Sequence, residues 1–179
     1  MIGRFSAIWA RLEISVAAAL ALSISLLILL NVATRSMGAA IFWVDELAIY
    51  AMAWMTFLGA SAALHYGNSV AITMIKDKLD HRAAFWMAKL VDLIIFVFAL
   101  FMIWFCWRWY APLELARQGF DVQAFQGATF NFIYAEPTTT LGIKKVWVWL
   151  VMWLFSFGAF LHGLANLIAP PQDRELGAR

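Results

Sequence analysis

The sequence predicts an all-α integral membrane protein with four transmembrane helices and a short interfacial helix. Hydrophobic residues make up 64% of the 179 residues and charged residues only 13%, whereas ordinary soluble domains carry about 25% charged residues. In addition, four long apolar stretches occupy most of the chain. Each is long enough to supply the ~20 residues with which an α-helix crosses the hydrocarbon of a bilayer.

The first predicted span (TM1) covers residues 14–33, and the second (TM2) covers residues 43–66. The residues before TM1 have apolar side chains on one helical face, while Arg4, Arg11 and Glu13 lie off that face. This pattern is typical of a helix that lies in the membrane interface. We therefore expect a separate amphipathic lead-in before TM1.

Residues 70–82 are too polar to span a membrane. Ile72, Ile75 and Leu79 share one helical face there, which predicts the short interfacial helix. The link that follows the third span is rich in aromatic residues and is expected to pack on another surface. The remaining segments of this single four-helix domain are TM3 at 83–110, a periplasmic link at 111–141, TM4 at 143–168 and a polar tail at 169–179.

Four spans place both termini on the same side of the membrane. That side would hold more lysine and arginine residues than the other, so the positive-inside rule predicts cytoplasmic termini. Tryptophans support the span boundaries, because Trp43 opens TM2 and further tryptophans close TM3 and open TM4. These residues would form one aromatic belt at the outer interface.

Charged side chains gather near the outer ends of the predicted spans. Asp45 and Glu46 open TM2, Arg35 follows TM1, and Arg108 lies near the end of TM3. An acidic pair between two arginines predicts a salt-bridged cluster that joins the helices. No ionisable residue is expected in the central turns of any span, which leaves the interior uncharged and favours a structural role over transport chemistry.

Small residues recur at four-residue spacing on two spans. Gly59 and Ala63 lie on TM2, and Ala159 and Gly163 lie on TM4. Such pairs allow helices to approach closely. They are expected to pack TM2 against TM4, or alternatively against a partner chain.

The sequence contains no nucleotide-binding loop, no metal-ligand spacing and no nucleophile with a base, so it predicts no enzyme. A net charge of +2 is too small to indicate a nucleic-acid partner. His65 and His162 would lie at comparable depth, which leaves ligation of a haem by two histidines as an alternative to a pair of interfacial side chains.

The segment from Asn31 to Met74 resembles the small membrane subunit of TRAP transporters (tripartite ATP-independent periplasmic transporters, DctQ-like). The resemblance rests on NVATR and on FWVDELAIYAMAWMTFLGASAALHYGNSVAI, while the span layout extends it over the whole chain. Ser69 and Thr73 stand where the family often has His and Asp. The matching positions are Arg35, Trp43, Asp45, Glu46, Leu47, Trp54, Phe57, Leu58, Gly59 and Ala60.

The resemblance implies a small non-catalytic subunit of the bacterial inner membrane that scaffolds a large elevator-type permease subunit. Its implied partners are that large TRAP membrane subunit, a periplasmic substrate-binding protein and membrane lipids. The complex would take up organic acids with the sodium gradient, which the large subunit uses, and the small subunit would need no cofactor. Arg35 and Glu46 are expected to fix the corner between TM1 and TM2, and the outer link to help dock the binding protein. The alternative is a haem- or quinone-associated membrane anchor of a respiratory complex.

Overall fold

The computed structural model describes residues 1–66 and 80–169, and only the backbone of His81. The four longest helices are apolar enough, by length and composition, to cross a membrane, which confirms the predicted fold class. Most of the predicted interfacial helix at 70–82 and of the tail at 169–179 lies outside the described residues. The helices are α1 (Ile2–Ser36), α2 (Phe42–Tyr66), α3 (His81–Tyr110), α4 (Pro112–Arg117), α5 (Val122–Thr129) and α6 (Lys145–Ile168).

The long helices form an array in which α6 is central. α1 packs on α2, α2 packs on α6, and α6 packs on α3, while the beginning of α1 also reaches α6. Half of the most apolar stretch of α6 is buried within the protein, but none of that of α1. We call the side where α1 begins and α6 ends the terminal end, and the side that holds residues 111–144 the link end. Which end faces the cytoplasm stays a prediction.

α1 is one continuous helix, so the predicted lead-in and TM1 are not separate elements. No Gly or Pro interrupts residues 4–36, and 35 residues give a helix of about 50 Å, well beyond the ~30 Å of hydrocarbon. The apolar side chains of the lead-in face outward, but a stripe of small and polar residues packs into the bundle, which the sequence did not predict. Phe5 and Ile8 are exposed, whereas Ser6, Ala10 and Glu13 are buried. This buried stripe follows the i, i+4, i+7 spacing of a single helical face.

The link between α3 and α6 is a folded substructure. α4 and α5 are short helices, and Asp121 caps α5 by accepting hydrogen bonds from the backbone N–H groups of Gln123 and Ala124 at 2.8 and 3.2 Å. Phe125 of α5 is fully buried in a core with Tyr110, Ile133 and Val146. The aromatic link therefore packs on the link ends of α3 and α6, as its composition predicted.

The small residues of α6 contact a different helix from the one predicted. The Cβ of a residue larger than glycine at Gly163 would lie 3.3 Å from the Cα of Phe96 on α3, and Ala159 packs in a cluster with Ala99 of α3. Gly59 has open space around it, and Ala63 is exposed. The prediction that these two pairs pack TM2 against TM4 is wrong, because α2 turns Leu58, Ser61 and Ala62 inward instead.

Gly158 is the glycine at which α6 approaches α2 and α1. A methyl group at this position would overlap the Ser61 Oγ and the Glu13 Oε1 atoms. Both atoms belong to buried side chains, so neither can withdraw into solvent.

We expect Gly158→Ala to destabilise the bundle by about 1–3 kcal/mol, the usual cost of overpacking a filled interior. Gly59→Ala is the matched control, since it adds the same methyl group to a helical glycine that has no neighbour within 4 Å. Unfolding midpoints in detergent should fall for the first variant and stay equal or rise for the second. Equal midpoints for both variants would contradict this packing.

Candidate functional site

The corner between α1 and α2 is closed by Arg35, Asn31 and Asp45. The guanidinium of Arg35 donates from Nη2 to Asp45 Oδ2 at 2.5 Å and from Nε to Asn31 Oδ1 at 3.0 Å. Asn31 in turn donates from Nδ2 to Asp45 Oδ1. Because Asp45 lies in the first turn of α2, its negative charge also complements the helix dipole. The predicted corner between α1 and α2 therefore exists, but the carboxylate that pairs with Arg35 belongs to Asp45 and not to Glu46.

Glu46 binds the link and not the corner. Its carboxylate accepts hydrogen bonds from the backbone N–H groups of Thr139, Thr140 and Leu141 at 2.7, 2.6 and 3.0 Å. The Thr140 hydroxyl and the Tyr50 hydroxyl donate to it as well, at 2.6 and 3.0 Å. The prediction that Glu46 pairs with Arg35 is wrong, because three consecutive amide groups of a tight turn already surround the carboxylate.

This turn is held in shape by its own backbone. A single antiparallel bridge joins Pro137 to Lys144, and the Thr138 N–H donates to the Ile143 carbonyl at 2.7 Å. Gly142 takes a φ of 71°, which is costly for other residues. We call residues 137–144 the clamped turn.

Arg108 takes no part in the predicted salt-bridged cluster. Arg108 is exposed on α3 and makes no ion pair with any residue in 1–66 or 80–169. Trp43 is also exposed. Trp54, by contrast, joins α2 to α6, because its indole Nε1 donates to the Val148 carbonyl at 2.7 Å.

A recess of about 260 Å³ opens beside Trp54, between α1, α2, α6 and the clamped turn. Its walls include Leu20, Ala51, Leu141 and Trp147, and none of its lining side chains carries a charge. A carboxylate would lose its hydration there without gaining a partner. This recess therefore does not suit an organic acid.

The terminal end contains a buried polar cluster that the sequence reasoning missed. We call Ser6, Trp9, Glu13, His65 and His162 the terminal-end cluster. Ser6 Oγ lies 2.7 Å from the Nδ1 atoms of both His65 and His162. Glu13 Oε2 lies 3.0 Å from His162 Nε2, and the Trp9 indole donates to Glu13 Oε1 at 2.8 Å.

Ionisable side chains are therefore buried at this end of the bundle, which the sequence did not predict. Glu13 is 3% exposed and His162 fully buried, and Glu13 lies well inside the continuous α1. The residue was placed before TM1 because its neighbours looked interfacial. The signal that was available is the absence of any helix breaker between Arg4 and Ser36, which extends the helix through position 13.

The two histidines do not fit the alternative of a shared haem. An iron between them would need one free ring nitrogen from each, but His162 uses Nδ1 towards Ser6 and Nε2 towards Glu13. The ring centres are only 5.3 Å apart, which leaves no room for a porphyrin between the rings. Among the described residues, no group of three or more His, Cys, Asp or Glu side chains is placed to hold a metal ion.

Comparison with known proteins identifies a family. The sequence model of the DctQ component of tripartite ATP-independent periplasmic transporters matches residues 24–170. The chain belongs to this family. No curated protein and no solved structure matches the chain.

Membership in the DctQ family confirms the resemblance seen in the sequence. It makes the chain the small, non-catalytic component of a TRAP transporter and a multi-pass membrane protein. The DctQ family works with a large TRAP membrane subunit and a periplasmic binding protein. The family match begins at residue 24, so Ser6, Trp9 and Glu13 lie outside it.

We expect Glu46→Gln to loosen the clamped turn of this DctQ-family chain. A neutral amide accepts weaker hydrogen bonds than a carboxylate. In addition, the amide NH₂ group replaces one carboxylate oxygen and cannot accept hydrogen bonds from the backbone N–H groups of the turn. Hydrogen exchange at the Thr139, Thr140 and Leu141 amides should become several-fold faster. Glu114→Gln is the control, because the hydrogen bonds of that partly buried carboxylate go, among the described residues, to Arg117 and Gln118. Unchanged exchange at the three amides would contradict the clamp.

Proposed function

We propose that this chain is the scaffold of a TRAP secondary transporter in the bacterial inner membrane. In this proposal it braces a large elevator-type membrane subunit, which carries the solute and sodium sites. A periplasmic binding protein delivers an organic acid to that subunit. The small subunit itself needs no cofactor, and the sodium gradient acts on its partner.

The observation that carries this proposal is the way in which the helices are tied together. Trp54 of α2 donates to a backbone carbonyl of α6, and Asn166 of α6 donates to the Leu64 carbonyl of α2 at 2.8 Å. Lys89 of α3 donates to the carbonyls of Asn166, Leu167 and Ala169 at 3.1, 2.7 and 2.7 Å. A positive charge at the end of α6 also complements its dipole. Such ties suit a part that stays fixed while a partner moves.

The outer faces of the array support a bracing role as well. α1 exposes Leu22 and Leu29 by 64% and 65%, and α3 exposes Ile94 and Phe101 by 58% and 54%. In a bilayer these faces meet either lipid or the apolar helices of another chain. The described recess offers no charged group to a solute, so the transported acid is assigned to the partner.

The link end supplies a surface for the binding protein. Phe120, Phe130 and Phe132 are exposed by 72%, 83% and 55%, although they lie in a substructure that is anchored by the buried Phe125 and by the clamp on Glu46. Exposed aromatic residues on a rigid support are common at protein–protein interfaces. We therefore assign docking of the binding protein to this link.

Reconstitution tests the proposal. Vesicles that contain this chain alone should take up no organic acid from its loaded binding protein. Vesicles that contain this chain with the large subunit should take it up only when sodium is present outside and the binding protein is added. Uptake by the chain alone, or full uptake by the large subunit without this chain, would contradict the scaffold role.

A further inference from the structure

We propose that Ser6, Glu13, His65 and His162 form a buried proton-binding site, in which hydrogen bonds lead one proton between His65 and Glu13. This inference goes beyond the scaffold role and does not rest on it. Its ligand is a proton that enters or leaves at the Nε2 atom of His65. Ser6 and Glu13 lie in the part of α1 that the DctQ family match does not cover, whereas His65 and His162 lie within the matched residues.

The four residues form an unbroken series of contacts. His65 Nδ1 lies 2.7 Å from Ser6 Oγ, Ser6 Oγ lies 2.7 Å from His162 Nδ1, and His162 Nε2 lies 3.0 Å from Glu13 Oε2. All three distances are hydrogen-bond lengths. Ser6, Glu13 and His162 are buried, whereas His65 is partly exposed. The series therefore has one end inside the bundle and one end near the surface.

Hydrogen counting shows that the series has two directions. The Ser6 hydroxyl has one hydrogen but faces two ring nitrogens, so it donates to one ring and accepts from the other. In the first direction a protonated Glu13 donates to His162, His162 donates to Ser6, and Ser6 donates to His65. In the second direction every donor and acceptor is reversed.

Reversal of the series releases one proton. It leaves Glu13 as a carboxylate, while Ser6 and both histidine rings stay neutral. The proton on Glu13 Oε2 passes to His162 Nε2, and the proton on His162 Nδ1 passes to Ser6 Oγ. The Ser6 hydrogen passes to His65 Nδ1, and the proton on His65 Nε2 leaves to water. Both rings have then changed tautomer, Ser6 is again a hydroxyl, and Glu13 is a carboxylate. The Trp9 indole, which donates to Glu13 Oε1, stabilises that carboxylate.

The surrounding charges favour occupation by one proton. Without it, Glu13 is an uncompensated anion in an apolar interior, which is costly. A second proton would place a net positive charge on rings whose centres are 5.3 Å apart. Among the described residues, the titratable or charged groups near the site include Arg11 of α1 and Tyr66 of α2, both next to His65, and Lys89 of α3, which caps the end of α6.

The chain has only three histidines, so nitrogen-15 NMR of histidine-labelled protein in lipid nanodiscs can follow each ring separately. In the native chain, His65 and His162 should titrate as a coupled pair, each curve containing both inflections. Independent single titrations of His65 and His162 would overturn the proposal, and this outcome requires no variant.

Two substitutions separate a relay from simple repulsion between neighbouring rings. Glu13→Gln removes the inner end of the series, so the titration curves of both His65 and His162 should change, and not that of His162 alone. Ser6→Ala cuts the series in the middle, so His65 should lose the inflection that it shares with His162. Ser15→Ala is the matched control on the same helix, since Ser15 is exposed and bonds only to the Arg11 carbonyl.

If His65 and His162 still share an inflection in a folded Ser6→Ala protein, the proposal is overturned, because the coupling would then act through space alone and not through Ser6. A titration curve of His65 that is the same in Glu13→Gln as in the native chain would overturn the proposal too. Neither readout requires the large subunit or transport, so failure of this proposal is distinct from failure of the scaffold role.

Discussion

A polar group inside a bilayer must find its partner within the protein, since lipid offers none. An apolar helix surface packs about as well against lipid as against another helix. The array therefore depends on pairs of buried polar groups. Glu13 of α1 stays buried because His162 of α6 and Trp9 contact both of its oxygens. Trp54 and Lys89 make the same kind of bond from α2 and α3 to the backbone of α6. Each helix is thereby tied to α6, which explains why α6 is the central helix.

The features that follow from local composition could be predicted from the sequence. α2 and α6 match the expected spans closely, because a long apolar run in a bilayer must satisfy its backbone hydrogen bonds internally and therefore forms a spanning helix. The burial of Ser6 and Glu13 on α1 could not be predicted, because the histidines that they contact lie on other helices, far along the sequence. The partner of Glu46 was out of reach as well, because the amides that it binds lie more than 90 residues away in sequence.

The two ends of the array have different roles in this account. At the link end, Arg35 and Asp45 close the first corner, and Glu46 fixes the clamped turn, so the exposed aromatic residues of the link rest on a rigid base. At the terminal end, a buried cluster joins the beginning of α1 to α2 and α6. Between these ends the outer faces of α1 and α3 are apolar and available to lipid or to the large subunit. This layout agrees with the scaffold role that we propose for this DctQ-family protein.

A double-mutant cycle between Glu13 and His162 tests most directly whether buried polar pairs hold the array together. Free energies of unfolding would be measured for the native chain, Glu13→Leu, His162→Leu and the double variant in mixed micelles titrated with denaturing detergent. Each single change leaves a buried polar group without its partner, whereas the double change removes both. If such pairs hold the array together, the double variant is more stable than the sum of the single effects implies, by at least about 1 kcal/mol. Losses that simply add would contradict it.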